Sequence, residues 1–330
     1  MRIALQWLGI TAAVLAAAAV FAYLINCGPA LTGGDQRGPA ARPGGVAEAP
    51  AAREGAERTL RIGWTAWSDA EVLTLLAQRL LERHTDLEVE RVMTDIGIQY
   101  QGVANGDLDV MLMAWLPVTH RNYWEKVRHR VVNLGVLYTG RLGWVVPAYV
   151  PEDAVASLAD LANPAVAERF GGKIQGIDPG SGLMQASERA MAAYGLDAMK
   201  LVSSSSAAMT AVLDRAIRNR EWVVVTAWRP HWVFARYDLR FLADPKGILG
   251  GEERVHALAR RGFQADFPPR VTGFFSRLRL PNDDLAEILL RMQETSAEEA
   301  VAHYIATHPR RVRYWLTGAV EEPGGNPQAK

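Results

Sequence analysis

Cysteine is nearly missing from this 330-residue chain, with Cys27 the only one. No intrachain disulfide can form, and a thiolate metal cluster is excluded. The seven histidines show no HxH or HxxxH spacing, so an imidazole metal site is not expected either. Charge of one sign is also lacking: 36 Lys and Arg balance 36 Asp and Glu. Without a basic excess there is no surface for nucleic acid. The G-x-S-x-G elbow of α/β hydrolases does not occur around Ser181, where the sequence reads Pro-Gly-Ser-Gly-Leu.

One long apolar run is present, from Ile3 to Ile25, interrupted mainly by Gln6. It is long enough to span a bilayer, which takes about 20 residues. Residues 1–27 therefore read as a signal or membrane anchor. Cys27 at its end suggests lipid attachment, although Leu24-Ile25-Asn26 suits a lipoprotein signal poorly, and a plain uncleaved anchor is the alternative. In both cases the body is exported and tethered, in a periplasmic or extracytoplasmic position. Residues 28–58 are rich in Gly, Pro, Ala and Arg, without apolar periodicity. They read as a flexible linker, and residues 319–330 read as a disordered tail.

The body alternates strand and helix patterns. "TLRIGWTAW" is a short strand, Asp69–Arg83 carries leucines at helical spacing, and "LEVERVMTD" alternates like a strand. "GIQYQGVANGD" is a helix stopped by Gly106, and "LDVMLMAW" is a further strand. A second α/β unit follows in "GGKIQGID", "PGSGLMQASERAMAAYG", "SSSSAAMTAVLDRAIRNR" and "EWVVVTAW". "RLGWVVPAYV" reads as a crossing between lobes, and "LRFLADPKG" as the return. The expected fold is α/β: a two-lobed clamp of the type II periplasmic-binding-protein kind, each lobe a mixed, mostly parallel sheet flanked by helices. Residues 59–145 plus 243–318 form lobe 1, and 146–242 form lobe 2.

Ten tryptophans need positions. Trp67, Trp115 and Trp228 share an Ala-Trp context, each at the carboxyl end of a predicted strand, where open α/β sheets bind ligands. Singly, such a residue serves packing as readily as binding. Together, three indole faces from two lobes make a cage for a quaternary ammonium group. Trp64 and Trp232 lie near enough to be additional lining residues. Trp124, Trp144, Trp222 and Trp315 are assigned to packing. "IDPGSGLM" opens a helix, and its Gly182 and Leu183 amides suit a carboxylate; taken alone the motif reads better as a plain turn, and beside a cation cage it supplies the site for the negative end of a zwitterion. His120, five residues after Trp115, is placed to donate to the same carboxylate or else to cap a helix.

These stretches together with "TAWSDAE", "GDLDVMLMAWLPVTH", "SSSSAAMTAVL" and "TAWRPHWVFARYDLRFLADPKG" resemble the glycine betaine-binding proteins of osmoprotectant ATP-binding-cassette importers, over about Leu60 to Leu316. The resemblance implies a tryptophan prism at Trp67, Trp115 and Trp228. It places carboxylate donors at Gly182, Leu183 and His120. It implies transport of glycine betaine or proline betaine with an ABC permease and ATPase, no cofactor and no chemistry by this chain. Arg229 departs from the Thr common in W-T-P-H-W; facing the cleft it would repel the cation or reach the carboxylate, which puts the ligand's identity in question. Choline, carnitine or a sulfonium osmolyte in the same clamp, or a sensory domain of the same fold, are the competing readings. A hydrolase using Ser181 with His120 or His231 and Asp178 is the enzyme reading, and the missing elbow argues against it.

Overall fold

A computed structural model describes residues 58–320. The expected anchor (1–27), Cys27, Trp7, the linker up to residue 57 and the tail beyond 320 lie outside the described residues. In chain order the protein forms β1 (Arg58–Trp64), α1 (Ser68–His84), β2 (Leu87–Met93), α2 (Ile96–Asn105), β3 (Val110–Leu116), α3 (Arg121–Val127) and the long β4 (Val131–Pro147). Then come α4 (Pro164–Arg169), β5 (Lys173–Gln175), α5 (Gly182–Tyr194), β6 (Lys200–Val202), α6 (Ser206–Asn219), β7 (Val225–Arg229), α7 (Val233–Arg236) and β8 (Leu239–Phe241). The chain returns through β9 (Glu252–Arg260) and ends in α8 (Phe263–Asp266), α9 (Pro269–Arg277), α10 (Asn282–Glu294), α11 (Ala297–Thr307) and α12 (Pro309–Thr317).

The local chemistry explains the elements. In α1, Val72, Leu73, Leu76 and Leu80 form the buried face, with Asp69 and Glu71 in the first turn and Arg83 and His84 in the last, matching the helix dipole. Gly106 ends α2 in the left-handed region at φ 89°, a conformation that favours glycine. The Ser205 hydroxyl accepts the Ala208 amide at the start of α6. Every residue of β3 is buried, which a continuous apolar run between two layers requires.

The strands follow the order β2-β1-β3-β9-β4-β7-β5-β6, with β8 beside β4. Pairing is parallel at both ends, in β2–β1–β3 and β7–β5–β6, and antiparallel where β9, β4, β7 and β8 meet. β4 belongs to both lobes: Val131–Arg141 pairs with β9, and Arg141–Pro147 pairs with β7 and β8. The segment read as a crossing is thus the second part of one 17-residue strand that ends at Pro147. β9 is hidden in the sequence, because Glu252, Glu253, Arg254 and Arg260 mask an alternating strand. The apolar pattern from Glu221 suggests a longer β7, whereas the ladder starts at Val225.

Strand order reverses between β1 and β3 in one lobe and between β5 and β7 in the other. With right-handed crossovers the intervening helices fall on opposite faces at those points. Each reversal leaves a crevice at the carboxyl ends of its strands, and the two crevices face one cavity.

Candidate ligand-binding site

Each reversal point delivers its residues to that cavity. Trp67 directly precedes α1 after β1, Trp115 lies in β3, the Asp178–Ser181 turn follows β5, and Trp228 lies in β7. Together they border one small cavity. Trp67, Trp115, Trp228, His120, Gly182 and Leu183 all line this space. The three tryptophans are 6%, 4% and 4% exposed, so their faces are desolvated. Trp67 and Trp228 are tilted by 56° with ring centroids 6.2 Å apart. Trp115 stands edge-on to Tyr138 at 5.9 Å and lies over Gly140, where any Cβ would sit 2.3 Å from the indole. Glycine at 140 therefore makes room for this wall. Leu142, directly opposite Trp228 in the ladder, presents the same face of the sheet and also lines the cavity.

Trp64 and Trp232 do not border the cavity. Trp64 lies beneath Arg91 of the neighbouring β2, 5.8 Å from the guanidinium. Trp232 packs between His231 and Tyr237. Trp144 has a packing environment, fully buried with its indole N–H donating to Ser187 Oγ at 2.8 Å. Arg229 turns outward and lies 4.2 Å from the centre of the Phe234 ring, so it neither repels nor binds anything in the cavity.

His120 is buried, and desolvation brings its pKa down to about 3, against a weaker opposing pull from the Met113 carbonyl. The ring is neutral. The Trp115 amide donates to Nδ1 at 3.2 Å, so the proton is assigned to Nε2, which is the donor left over. The turn that carries His120 is held by Glu253: its Oε2 accepts the Val118 and Thr119 amides at 2.8 and 2.9 Å, and Oε1 accepts the Thr119 hydroxyl. Glu253 comes from β9, and no local sequence signal connects it to residues more than 130 positions earlier.

Facing this turn is the start of α5. Ser181 Oγ accepts the Met184 amide at 3.2 Å, and the Ser181 carbonyl accepts the Gln185 amide. The Gly182 and Leu183 amides, at the first two helical positions, have no intrahelical partner. A Cβ at Gly182 would sit 2.4 Å from the Thr119 carbonyl and 2.7 Å from the His120 ring. The two lobes therefore meet in close contact beside the donors. Hydrogen bonds also join the lobes, among them Trp67 Nε1 to Asp178 Oδ2 at 2.9 Å, Tyr123 OH to the Gly180 carbonyl at 2.6 Å, and Gln185 Nε2 to Tyr123 OH at 2.7 Å.

Asp69 also lines the cavity, and sequence reasoning missed it because it reads as an ordinary first-turn acid of α1. It is fully buried, and desolvation raises its pKa to about 6 against the opposing hydrogen bond from Tyr138 OH at 2.5 Å. Trp228 Nε1 faces this carboxylate and eases its ionisation without reaching hydrogen-bond geometry, and Asp69 Oδ1 has no partner. The cavity thus has aromatic walls, one carboxylate, and neutral N–H donors at the opposite lobe boundary. No group of three or more metal-ligating side chains occurs among the described residues.

Residues 58–307 match the family model described as the substrate binding domain of ABC-type glycine betaine transport systems. The chain is 35% identical over 169 residues to the glycine betaine/carnitine transport binding protein GbuC of Listeria monocytogenes, an alignment covering 49% of this chain and 55% of GbuC. It thus spans about half the length of that relative. Among solved structures, lactococcal OpuAC in its closed-liganded conformation with glycine betaine is 33% identical, with a TM-score of 0.73 over 79% of this chain and 100% of that one. The glycine/betaine/L-proline-binding protein ProX of Borrelia burgdorferi is 30% identical, with a TM-score of 0.74 over 78% of this chain and 97% of ProX.

Proposed function

This chain belongs to the family of substrate-binding domains of ABC-type glycine betaine transport systems, and from that premise we propose that it captures glycine betaine, or the closely related proline betaine, between its two lobes. The observation that carries this reading is the enclosure of one cavity by three indoles from two lobes, with two free helix-start amides on its wall. The onium head would sit among Trp67, Trp115 and Trp228, each face contributing roughly 0.5–2 kcal/mol to holding a desolvated cation. The ligand carboxylate would accept from the Gly182 and Leu183 amides and from His120 Nε2. Neutrality of His120 suits this role, because Nδ1 goes on accepting the Trp115 amide while Nε2 donates, at every pH above about 3.

The ligand would couple the lobes. Trp67, Trp115 and His120 come from one, and Trp228, Gly182 and Leu183 from the other, so the full contact set exists only when both meet. Binding then shifts the population toward the closed form, aided by the Trp67–Asp178 bond. We assign the hinge to β4 and to the return segment 242–251, with the lobe division at 59–145 plus 243–318 against 146–242. The closed form would be recognised by an ABC permease, with an ATPase powering import, and the N-terminal segment would tether the protein outside the membrane, with lipid at Cys27 or without.

A specific observation supports a second ligand class. The buried Asp69 carboxylate favours any onium head, including that of choline, which has no carboxylate of its own. Calorimetric titration of the purified protein with glycine betaine, proline betaine, carnitine and choline separates the two readings. Glycine betaine is expected to bind in the micromolar range, roughly −8 kcal/mol, and more tightly than choline. Trp67→Ala, Trp115→Ala and Trp228→Ala are each expected to weaken binding at least tenfold, or about 1.4 kcal/mol. Equal affinity for choline and glycine betaine would remove the role given to His120. Wild-type binding by the tryptophan variants would remove the cage.

A further inference from the structure

His231 takes no part in the cavity wall, yet it is 3% exposed and carries an imidazole nitrogen without a partner. The Val233 amide donates to its Nδ1 at 3.2 Å, which leaves the ring proton on Nε2. That Nε2 is buried and has no hydrogen-bond acceptor among the described residues. A buried donor of this kind requires an explanation. The ring next to it is Trp228, at 4.6 Å between centroids and 84° between planes, the closest contact either ring makes with another aromatic. Trp228 lines the cavity and His231 does not, so the imidazole contacts the indole from outside the cavity lining.

We propose that His231 is a positioning residue: its Nε2–H edge is directed at the outer face of Trp228 and sets the tilt of that wall of the cage. An N–H edge on an aromatic face is a weak but directional contact. The Val233 amide fixes the imidazole, and the imidazole fixes the indole. This arrangement answers why the strand ends in Trp-Arg-Pro-His-Trp: the chain turns after Trp228 and brings His231 back against it, while Arg229 points outward to Phe234. The inference rests on the tryptophan-cage reading given above.

The role separates from that of His120 by its ligand dependence. A wall residue affects every onium ligand, whereas a carboxylate donor affects only ligands that have a carboxylate. His231→Leu is therefore expected to weaken glycine betaine and tetramethylammonium by the same factor, about three- to tenfold for an aromatic-edge contact. His120→Ala is expected to weaken glycine betaine alone. His231→Gln, which reaches a donor to the Nε2 position, is expected to recover most of the affinity, whereas the shorter His231→Asn is not. This Gln–Asn pair keeps the test decisive should the leucine variant fail to fold. In a Trp228→Ala background, His231→Leu is expected to add no further loss.

The inference is overturned if His231→Leu and His231→Asn both bind within twofold of wild type. A loss that is undiminished in the Trp228→Ala background overturns it equally, since it then reflects general destabilisation. If Trp228→Ala itself binds like wild type, the cage reading fails, and that outcome is distinct from the other two.

Discussion

At Gly182 the spacing of the two lobes is decided by a single hydrogen atom. A methyl group there would overlap the Thr119 carbonyl and the His120 ring, both on the opposite lobe. Gly182→Ala should therefore hold the lobes apart, with glycine betaine affinity reduced more than tenfold (above about 1.4 kcal/mol) and the melting temperature of the ligand-free protein unchanged. Calorimetric titration and thermal unfolding of the same sample check both halves of the statement. Asp69 makes a different prediction. Its pKa near 6 means that the carboxylate ionises as pH rises through 6, and an onium head beside it is held more strongly in the ionised state. Affinity should rise between pH 5 and 7.5, by no more than about tenfold per unit for one coupled proton. Asp69→Asn should flatten the profile in titrations across that range.

At the scale of elements, the site depends on strands that carry none of the cage tryptophans or carboxylate donors. β9 supplies Glu253, which collects two amides and a hydroxyl from the turn after β3. Removing its carboxylate leaves those buried donors unpaired, at a cost of about 1–3 kcal/mol. Glu253→Ala is therefore expected to lower the unfolding free energy by that amount and to weaken glycine betaine more than tetramethylammonium, because His120 loses its support. Chemical denaturation and parallel titrations measure the two effects. β4 contributes space instead, through Gly140 under the Trp115 ring, and it carries the connection from one lobe to the other.

For the whole molecule, burial of the site residues sets the response to acid. His120 and His231 both have pKa values lowered to about 3 by burial, against an unfolded value near 6.5. Their stabilisation is complete above pH 6.5 and is lost as pH falls toward 3, because only the unfolded chain takes up those protons. Each histidine contributes a slope of at most about 1.4 kcal/mol per pH unit. Asp69 acts in the opposite sense between its unfolded value of 3.8 and about 6, since there the folded state holds the extra proton. The unfolding free energy should decline from pH 7 to pH 5. His231→Gln should show a shallower decline, measured by denaturation at each pH.

Much of this protein can be read directly from the amino-acid order. Strand and helix alternation in the first 60 residues of the body, the Gly106 stop and the serine cap of α6 are local properties, and local chemistry dictates them. The Ala-Trp repeats at strand ends and the PGSG turn are likewise legible, because a strand end in an open α/β sheet has a known use. Other features depend on residues far apart in the chain. β9 is too charged to resemble a strand until it lies between β3 and β4, and Glu253 is an ordinary acid until it meets the Thr119 turn. Asp69 looks like a first-turn acid, and only burial in the folded site strips its water and raises its pKa. Trp64 and Trp232 resembled cage residues by proximity in sequence, and neighbouring side chains turned them elsewhere. Local order specifies which residues stand at the ends of strands, whereas desolvation and contact across the two lobes determine which of them share one cavity.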